Sequence, residues 1–195
     1  MRIANVTGVV LVGGRSRRFG SNKSFAKVDG EPLIDRVTGL MRSLFERVVL
    51  ITNTPELYGH LCLPMFEDRI KGLGPIGGIY TALMEIPSDY IFVTACDMPY
   101  LSGPLIRHLV SVKGDFDATV PVPGKYPEPL HALYSKRCLP AVKRSIDDLK
   151  YKIADFYNES RIQFIPEAEL RELDPELKSF YNINRPQDVK GGEND

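Results

Sequence analysis

Short apolar runs rich in β-branched residues alternate along this chain with segments of helical period, and that alternation is what most narrows the folds open to it. The runs lie at 6–12, 48–52, 90–95 and 118–122, with weaker ones at 63–66, 130–134 and 162–165. Between them, segments at 32–45, 76–85, 104–112 and 137–149 carry apolar residues three and four apart, as in Leu105, Ile106, Leu109 and Val112. Strands that are apolar throughout must be covered on both faces, and helices between consecutive strands supply that cover when the strands are parallel. The spacing predicts an α/β fold, Rossmann-like, with three layers α/β/α around a mostly parallel mixed sheet. Residues 123–133 break the alternation, so an inserted hairpin or an antiparallel strand is expected there. Turn signals punctuate the boundaries at Gly13-Gly14, Asp29-Gly30, Ser88-Asp89, Ser102-Gly103-Pro104 and Pro123-Gly124. Ser102 is placed to cap a helix that has Pro104 in its first turn.

At 195 residues, one domain over 1–190 with a frayed tail at 191–195 is expected. The 25 Lys and Arg balance the 25 Asp and Glu, so no overall field draws in long nucleic acid, and an anion has to be caught locally. Cys62, Cys96 and Cys138 are too few and too scattered for a disulfide framework or a structural zinc site, which points to a reducing compartment. No apolar stretch is long enough to span a membrane, and the N-terminal one is too short and too glycine-broken for a signal peptide. A cytoplasmic location is expected, with neither nucleic acid nor membrane as partner.

Four stretches carry candidate chemistry. Residues 11–28 hold Gly13, Gly14 and Gly20 with five cations, Arg15, Arg17, Arg18, Lys23 and Lys27, and no acid. In an open α/β sheet ligands bind beyond the carboxyl ends of strands, where the N–H groups of a glycine-rich turn approach phosphates. The spacing fits neither a Walker loop nor a dinucleotide fingerprint, and the stretch alone reads equally as a solvated basic loop. Asp97 ends the apolar run 90–95 at the same edge. A hard cation such as Mg²⁺ needs only one or two carboxylates when substrate phosphates complete its shell, although Asp also favours turns of this kind. Residues 71–79 form a glycine-dense turn into a helix, preceded by Asp68. Gly78 there admits a base or phosphate against the backbone, or merely packs helix on sheet, while Asp68 is able to accept from ring N–H groups. Asn182 and Asn184 stand two apart at the end of an expected strand, hence on one face, or simply in a strand-to-turn junction. His60, His108 and His131 are scattered and suggest no histidine-centred site.

In order, Leu11-Val12-Gly13-Gly14-Arg15-Ser16-Arg17-Arg18-Phe19-Gly20 with Lys23 resembles the L-A-G-G-x-S-x-R-M-G-x-x-K signature of the MobA-like nucleotidyltransferases. Gly74-Pro75-Ile76-Gly77-Gly78 is similar to their G-P-L-A-G, and Cys96-Asp97-Met98-Pro99 to their C-D-x-P. Asn182-Ile183-Asn184-Arg185-Pro186-Gln187-Asp188 is similar to their N-x-N-T-P-E-D, with Arg185 for the usual threonine. The resemblance implies the fold of the nucleotide-diphospho-sugar transferases, which is GT-A-like. Within the family the likeness is to members that transfer GMP from GTP to molybdopterin, forming a guanine dinucleotide cofactor and releasing pyrophosphate. It implies Mg²⁺ as cofactor, and cofactor-pathway proteins and the chaperones of recipient molybdoenzymes as protein partners. Lys23, Arg18 and Asp97 would be catalytic. Leu11, Val12, Gly13, Gly14, Arg15, Lys23, Asp68, Gly78 and Asp97 would bind the nucleotide, with Asp97 on the metal. Asn182 and Asn184 would serve the acceptor or a second metal side. Relatives that use CTP tend to carry alanine where Gly13 stands, which favours GTP. Residues 123–136 match no acceptor pattern. A CTP-dependent molybdopterin cytidylyltransferase, a sugar-phosphate nucleotidyltransferase and a nucleotide-binding regulatory module stay open as alternatives.

Overall fold

The computed structural model describes residues 1–13, 22–184 and 188. The expectations placed on Gly14, Arg15, Arg18 and the rest of 14–21, on 185–187 and on the tail lie outside the described residues. The chain opens with β1 (Ile3–Val12), then a small ribbon of β2 (Lys27–Val28) and β3 (Glu31–Pro32), α1 (Leu33–Leu44), β4 (Phe45–Thr52) and the short β5 (Met65–Phe66). It continues with α2 (Pro75–Glu85), β6 (Tyr90–Ala95), α3 (Gly103–Ser111), β7 (Ala118–Val122), β8 (His131–Ser135) and α4 (Leu139–Asp147). It closes with β9 (Ile162–Pro166) and α5 (Glu167–Leu173).

Seven strands form one sheet in the order β5-β4-β1-β6-β8-β7-β9. All run parallel except β8, which is antiparallel to both β6 and β7 and makes the sheet mixed, as the lapse in alternation predicts. Successive strand residues point to opposite faces, so Val9 joins a core with Ile76, Ile79 and Leu83 of α2 and Val142 of α4. Val10 joins a second core with Ile34, Val37 and Met41 of α1 and Leu105, Ile106 and Leu109 of α3. These two cores are the interfaces of the three layers. Each buried aliphatic side chain in them is worth about 1.5–3 kcal/mol relative to an exposed one. No helix among the described residues is long and apolar enough to cross a membrane.

Two expectations need correction. The helix expected over 32–45 ends at Leu44, and Phe45 is already extended (φ −109°, ψ 146°) as the first residue of β4, three residues before the strand expected at 48. No loop separates α1 from β4, and Phe45 is buried on Phe92. The apolar pattern therefore crosses the junction without a turn signal. Gly8 makes room for that ring, since a Cβ there would lie 2.8 Å from Phe45 Cδ2. The second correction concerns residues 181–184, which are irregular backbone rather than a strand. Ile183 is buried against Val28 and Leu33, and its N–H donates to the Asp97 carbonyl at 2.9 Å. One apolar anchor between two polar residues imitates the two-residue period of a strand. On the expected side, Ser102 caps α3 by accepting from the Leu105 N–H, with Pro104 in the first turn.

Because β1, β4, β5, β6 and β7 are parallel, their carboxyl ends share one edge, and β8 begins there. Gly13, Asp68 and Asp97, which follow β1, β5 and β6, are thereby delivered to the same side of the molecule.

Candidate active site

Asp97 lies just past β6, and the Cys96 N–H donates to the Leu11 carbonyl at 3.1 Å, carrying the β1–β6 pairing beyond the strand. This places Asp97 beside the exit of β1. Lys23 Nζ reaches it, donating to Asp97 Oδ2 at 2.8 Å and to Asn184 Oδ1 at 3.2 Å. The Lys23 and Asp97 side chains are only 16% and 26% exposed, so their attraction is screened less than that of an open surface pair. Asn184 is itself held through its N–H, which donates to Asp188 Oδ2 at 2.8 Å. The structure thus brings Lys23, Asp97 and Asn184 together across nearly the whole chain. It does not bring the Asn182 side chain to Lys23; the Asn182 carbonyl instead accepts from Asn184 Nδ2.

On the other side of β1, the ends of β4 and β5 present a pair. Asn53 Nδ2 donates to Asp68 Oδ2 at 2.7 Å, and the Asp68 N–H donates back to Asn53 Oδ1 at 3.1 Å. This reciprocal clamp orients the carboxylate and leaves Asp68 Oδ1 without a hydrogen bond among the described residues. Sequence reasoning missed Asn53. The signal was available, because Asn53 follows the run 48–52 as Asp97 follows a later one.

Gly13 is exposed, and a Cβ built on it would meet no atom within 4 Å among the described residues. Val12 is buried in the core, so only its backbone faces the edge. Gly78 is buried in α2, where a Cβ would lie 3.0 Å from Leu11 Cδ2. Its lack of a side chain lets α2 approach β1 closely, which is the packing role open to it from the sequence. Gly74, just before α2, has φ 69°, a conformation that glycine adopts without steric cost.

The oxygens of Asp97 and Asn184 already share one cation, the Lys23 ammonium. Hard oxygen donors of this kind suit a hard divalent cation such as Mg²⁺. Among the described residues no group of three or more His, Cys, Asp or Glu is placed to hold a metal, so ligand oxygens would have to complete its shell. Cys96 offers no nucleophile: burial first, then the charge of Asp97, pushes its thiol up to about 12. Burial likewise pushes Cys138 up to about 12. Glu128, in the connection from β7 to β8, is raised mainly by burial and further by the charge of Asp97, while its Oε1 accepts from the Leu130 N–H at 3.0 Å. This third acid lies in the stretch for which the sequence offers no pattern.

Residues 8–162 match the family model of the MobA-like NTP transferase domain. The molybdenum cofactor guanylyltransferase of Desulfosudis oleivorans is 37% identical over 190 residues, covering 96% of this chain and 94% of that protein. The crystal structure of molybdopterin-guanine dinucleotide biosynthesis protein A from Archaeoglobus fulgidus matches with a TM-score of 0.83 at 32% identity, over 96% of each chain. The 2-C-methyl-D-erythritol 4-phosphate cytidylyltransferase of Thermus thermophilus shares the fold alone, with a TM-score of 0.69 at 14% identity over 95% of this chain and 96% of that one. The architecture is that of the nucleotide-diphospho-sugar transferases.

Proposed function

The chain belongs to the MobA-like NTP transferase family, and from that premise we propose that it transfers GMP from GTP to molybdopterin, releasing pyrophosphate. The observation that carries the reading is the meeting of Asp97 and Asn184 on Lys23, on the edge where Gly13 and the Asn53–Asp68 clamp also stand. The acceptor's terminal phosphate is an anion at neutral pH and attacks the α-phosphorus in line. No side-chain base and no covalent enzyme intermediate are needed, and the protein's work is to position the reactants and offset their charge.

Without substrate, the Lys23 ammonium offsets Asp97. With a triphosphate bound it turns to the phosphates and stabilises the charge that develops as the bond to pyrophosphate breaks. Mg²⁺ would be held by Asp97 and Asn184 and would supply positive charge to offset that of the phosphates. Backbone N–H groups from Leu11 to Gly13 hold the nucleotide, and Asp68, oriented by Asn53, accepts from the N–H donors of guanine. A base lacking those donors leaves the carboxylate unpaired, a penalty of about 1–3 kcal/mol. The free cysteines suit the reducing cytoplasm, where the cofactor-pathway proteins and recipient chaperones would hand over substrate and product.

The test is turnover of GTP with magnesium and molybdopterin, read as pyrophosphate release and dinucleotide formation, with CTP and UTP run in parallel. Lys23→Ala and Asp97→Ala are each expected to lower turnover by about 100-fold or more, with circular dichroism unchanged. Full turnover in either variant removes the mechanism, and a preference for CTP replaces GMP transfer by CMP transfer.

A further inference from the structure

Lys23 is bracketed by the members of a closed hydrogen-bond ring. Asn22 Nδ2 donates to the Tyr58 hydroxyl at 2.8 Å, and Ser24 Oγ lies 2.8 Å from that hydroxyl and 2.8 Å from Asn22 Oδ1. Asn22 Oδ1 can only accept, so the single Ser24 hydroxyl proton goes to it. Tyr58 must then give its own proton to Ser24 Oγ while accepting from Asn22. The three bonds run head to tail in one direction, an arrangement in which each polarises the next. The Tyr58 side chain is 1% exposed and its ring stacks on Phe25 at 5.5 Å.

Lys23 itself begins a three-residue 3₁₀ turn, Lys23–Phe25, which has too few backbone bonds to hold its own geometry. Asn22 adds one cap, accepting from the Ser24 N–H at 3.2 Å. What fixes the backbone on both sides of the lysine is the ring, and the one member of it from outside the capped turn 22–25 is Tyr58. That residue sits in the connection between β4 and β5, five positions beyond Asn53, so the segment that starts at the base-reading clamp also anchors the lysine.

We infer that Tyr58 is a positioning residue for Lys23: its hydroxyl holds the Asn22–Ser24 turn so that the ammonium reaches the phosphates. The inference rests on the reading of Lys23 as the phosphate-binding lysine. Tyr58→Phe deletes one oxygen and keeps the buried ring and its stacking on Phe25. Dissociation constants for inorganic tripolyphosphate with magnesium, and separately for guanosine, are measured by calorimetry in the wild type, Tyr58→Phe, Lys23→Ala and the double variant. Tyr58→Phe should weaken tripolyphosphate about tenfold, leave guanosine within about twofold, and add nothing further once Lys23 is alanine, since coupled groups do not act additively. The inference is overturned if Lys23→Ala loses tripolyphosphate binding while Tyr58→Phe does not. It is equally overturned if the Tyr58→Phe loss persists undiminished in the Lys23→Ala background. If Lys23→Ala binds tripolyphosphate like the wild type, the reading of Lys23 itself fails and takes this inference with it. Should Tyr58→Phe not fold, Ser24→Ala opens the same ring and is held to the same four-way comparison.

Discussion

Replacing His131 by phenylalanine should flatten the acid limb of this protein's stability curve. His131 opens β8 with no solvent exposure, its ring in edge contact with Phe92 at 5.3 Å and Phe180 at 5.2 Å. Neither ring nitrogen has a hydrogen-bond partner among the described residues. Burial pushes the imidazole down to about 3, opposed weakly by the Asp174 carboxylate. Between the ordinary value of 6.5 and about 3, the unfolded chain carries a proton on this residue and the folded one does not. The unfolded state then binds more protons, so stability rises with pH across that window and is lost on acidification.

The slope from this one residue approaches roughly 1.4 kcal/mol per pH unit inside the window. Two units of acidification below 6.5 therefore remove up to about 3 kcal/mol, a large part of a typical total of about 5–15 kcal/mol. Urea unfolding of wild type and His131→Phe, at steps from neutral pH down to about two units below the imidazole's ordinary value, measures it. Subtracting the two curves cancels the carboxylates common to both. The difference should be flat above the ordinary imidazole value and should grow in favour of His131→Phe below it. Parallel curves over the whole range would refute the reasoning, because they would mean that the ring finds a proton in the folded protein as easily as in the unfolded chain.

Gly13→Ala should leave stability within about 0.5 kcal/mol of wild type, because no atom of the described residues lies within 4 Å of the new methyl and the backbone there is not left-handed. Its effect falls on the nucleotide: kcat/KM for GTP should drop about tenfold and that for CTP less, and equal losses in a side-by-side assay would indicate backbone damage instead. Asn53→Ala removes both bonds that orient Asp68 and should raise KM for GTP about tenfold with kcat little changed. Unchanged discrimination between GTP and ITP, which lacks the 2-amino group, would show that the clamp does not serve the base.

The layers were legible because strands covered on both faces are apolar at every position, as in the stretch through Val9 and Val10, whose two sides enter different cores. Chain direction was legible only where a helix separates two strands. For β8 the pattern showed an interruption, and its antiparallel course follows from the short connection between β7 and β8, too short to cross over. The junction at Phe45 was hidden because a residue buried in either conformation carries no information about which one it adopts. At Tyr181-Asn182-Ile183-Asn184 the alternation of polar and apolar residues was real, but its cause is a single anchor, Ile183, packed on Val28 and Leu33.

The site divides along similar lines. Asp97 was legible since a polar residue just past a buried strand has the strand to aim it, and the same rule applied to β4 finds Asn53; Asp68, past the half-buried β5, was singled out by the glycine-dense turn that follows it. The meeting of Lys23 with Asp97 is different. The two are 74 residues apart, and nothing in local spacing joins them; the parallel pairing of β1 and β6 puts Asp97 beside the exit of β1, and the turn tied to Tyr58 carries Lys23 to it. Tyr58 is harder still. A buried aromatic reads as core, and its ring does lie in the core. Only the direction of proton donation around Asn22 and Ser24 separates the hydroxyl's part from the ring's, and that direction follows from three short distances that no sequence pattern encodes. Residues that act through a hydroxyl in an apolar setting are therefore the ones to seek in coordinates, beginning with any buried tyrosine whose oxygen bonds next to a catalytic side chain.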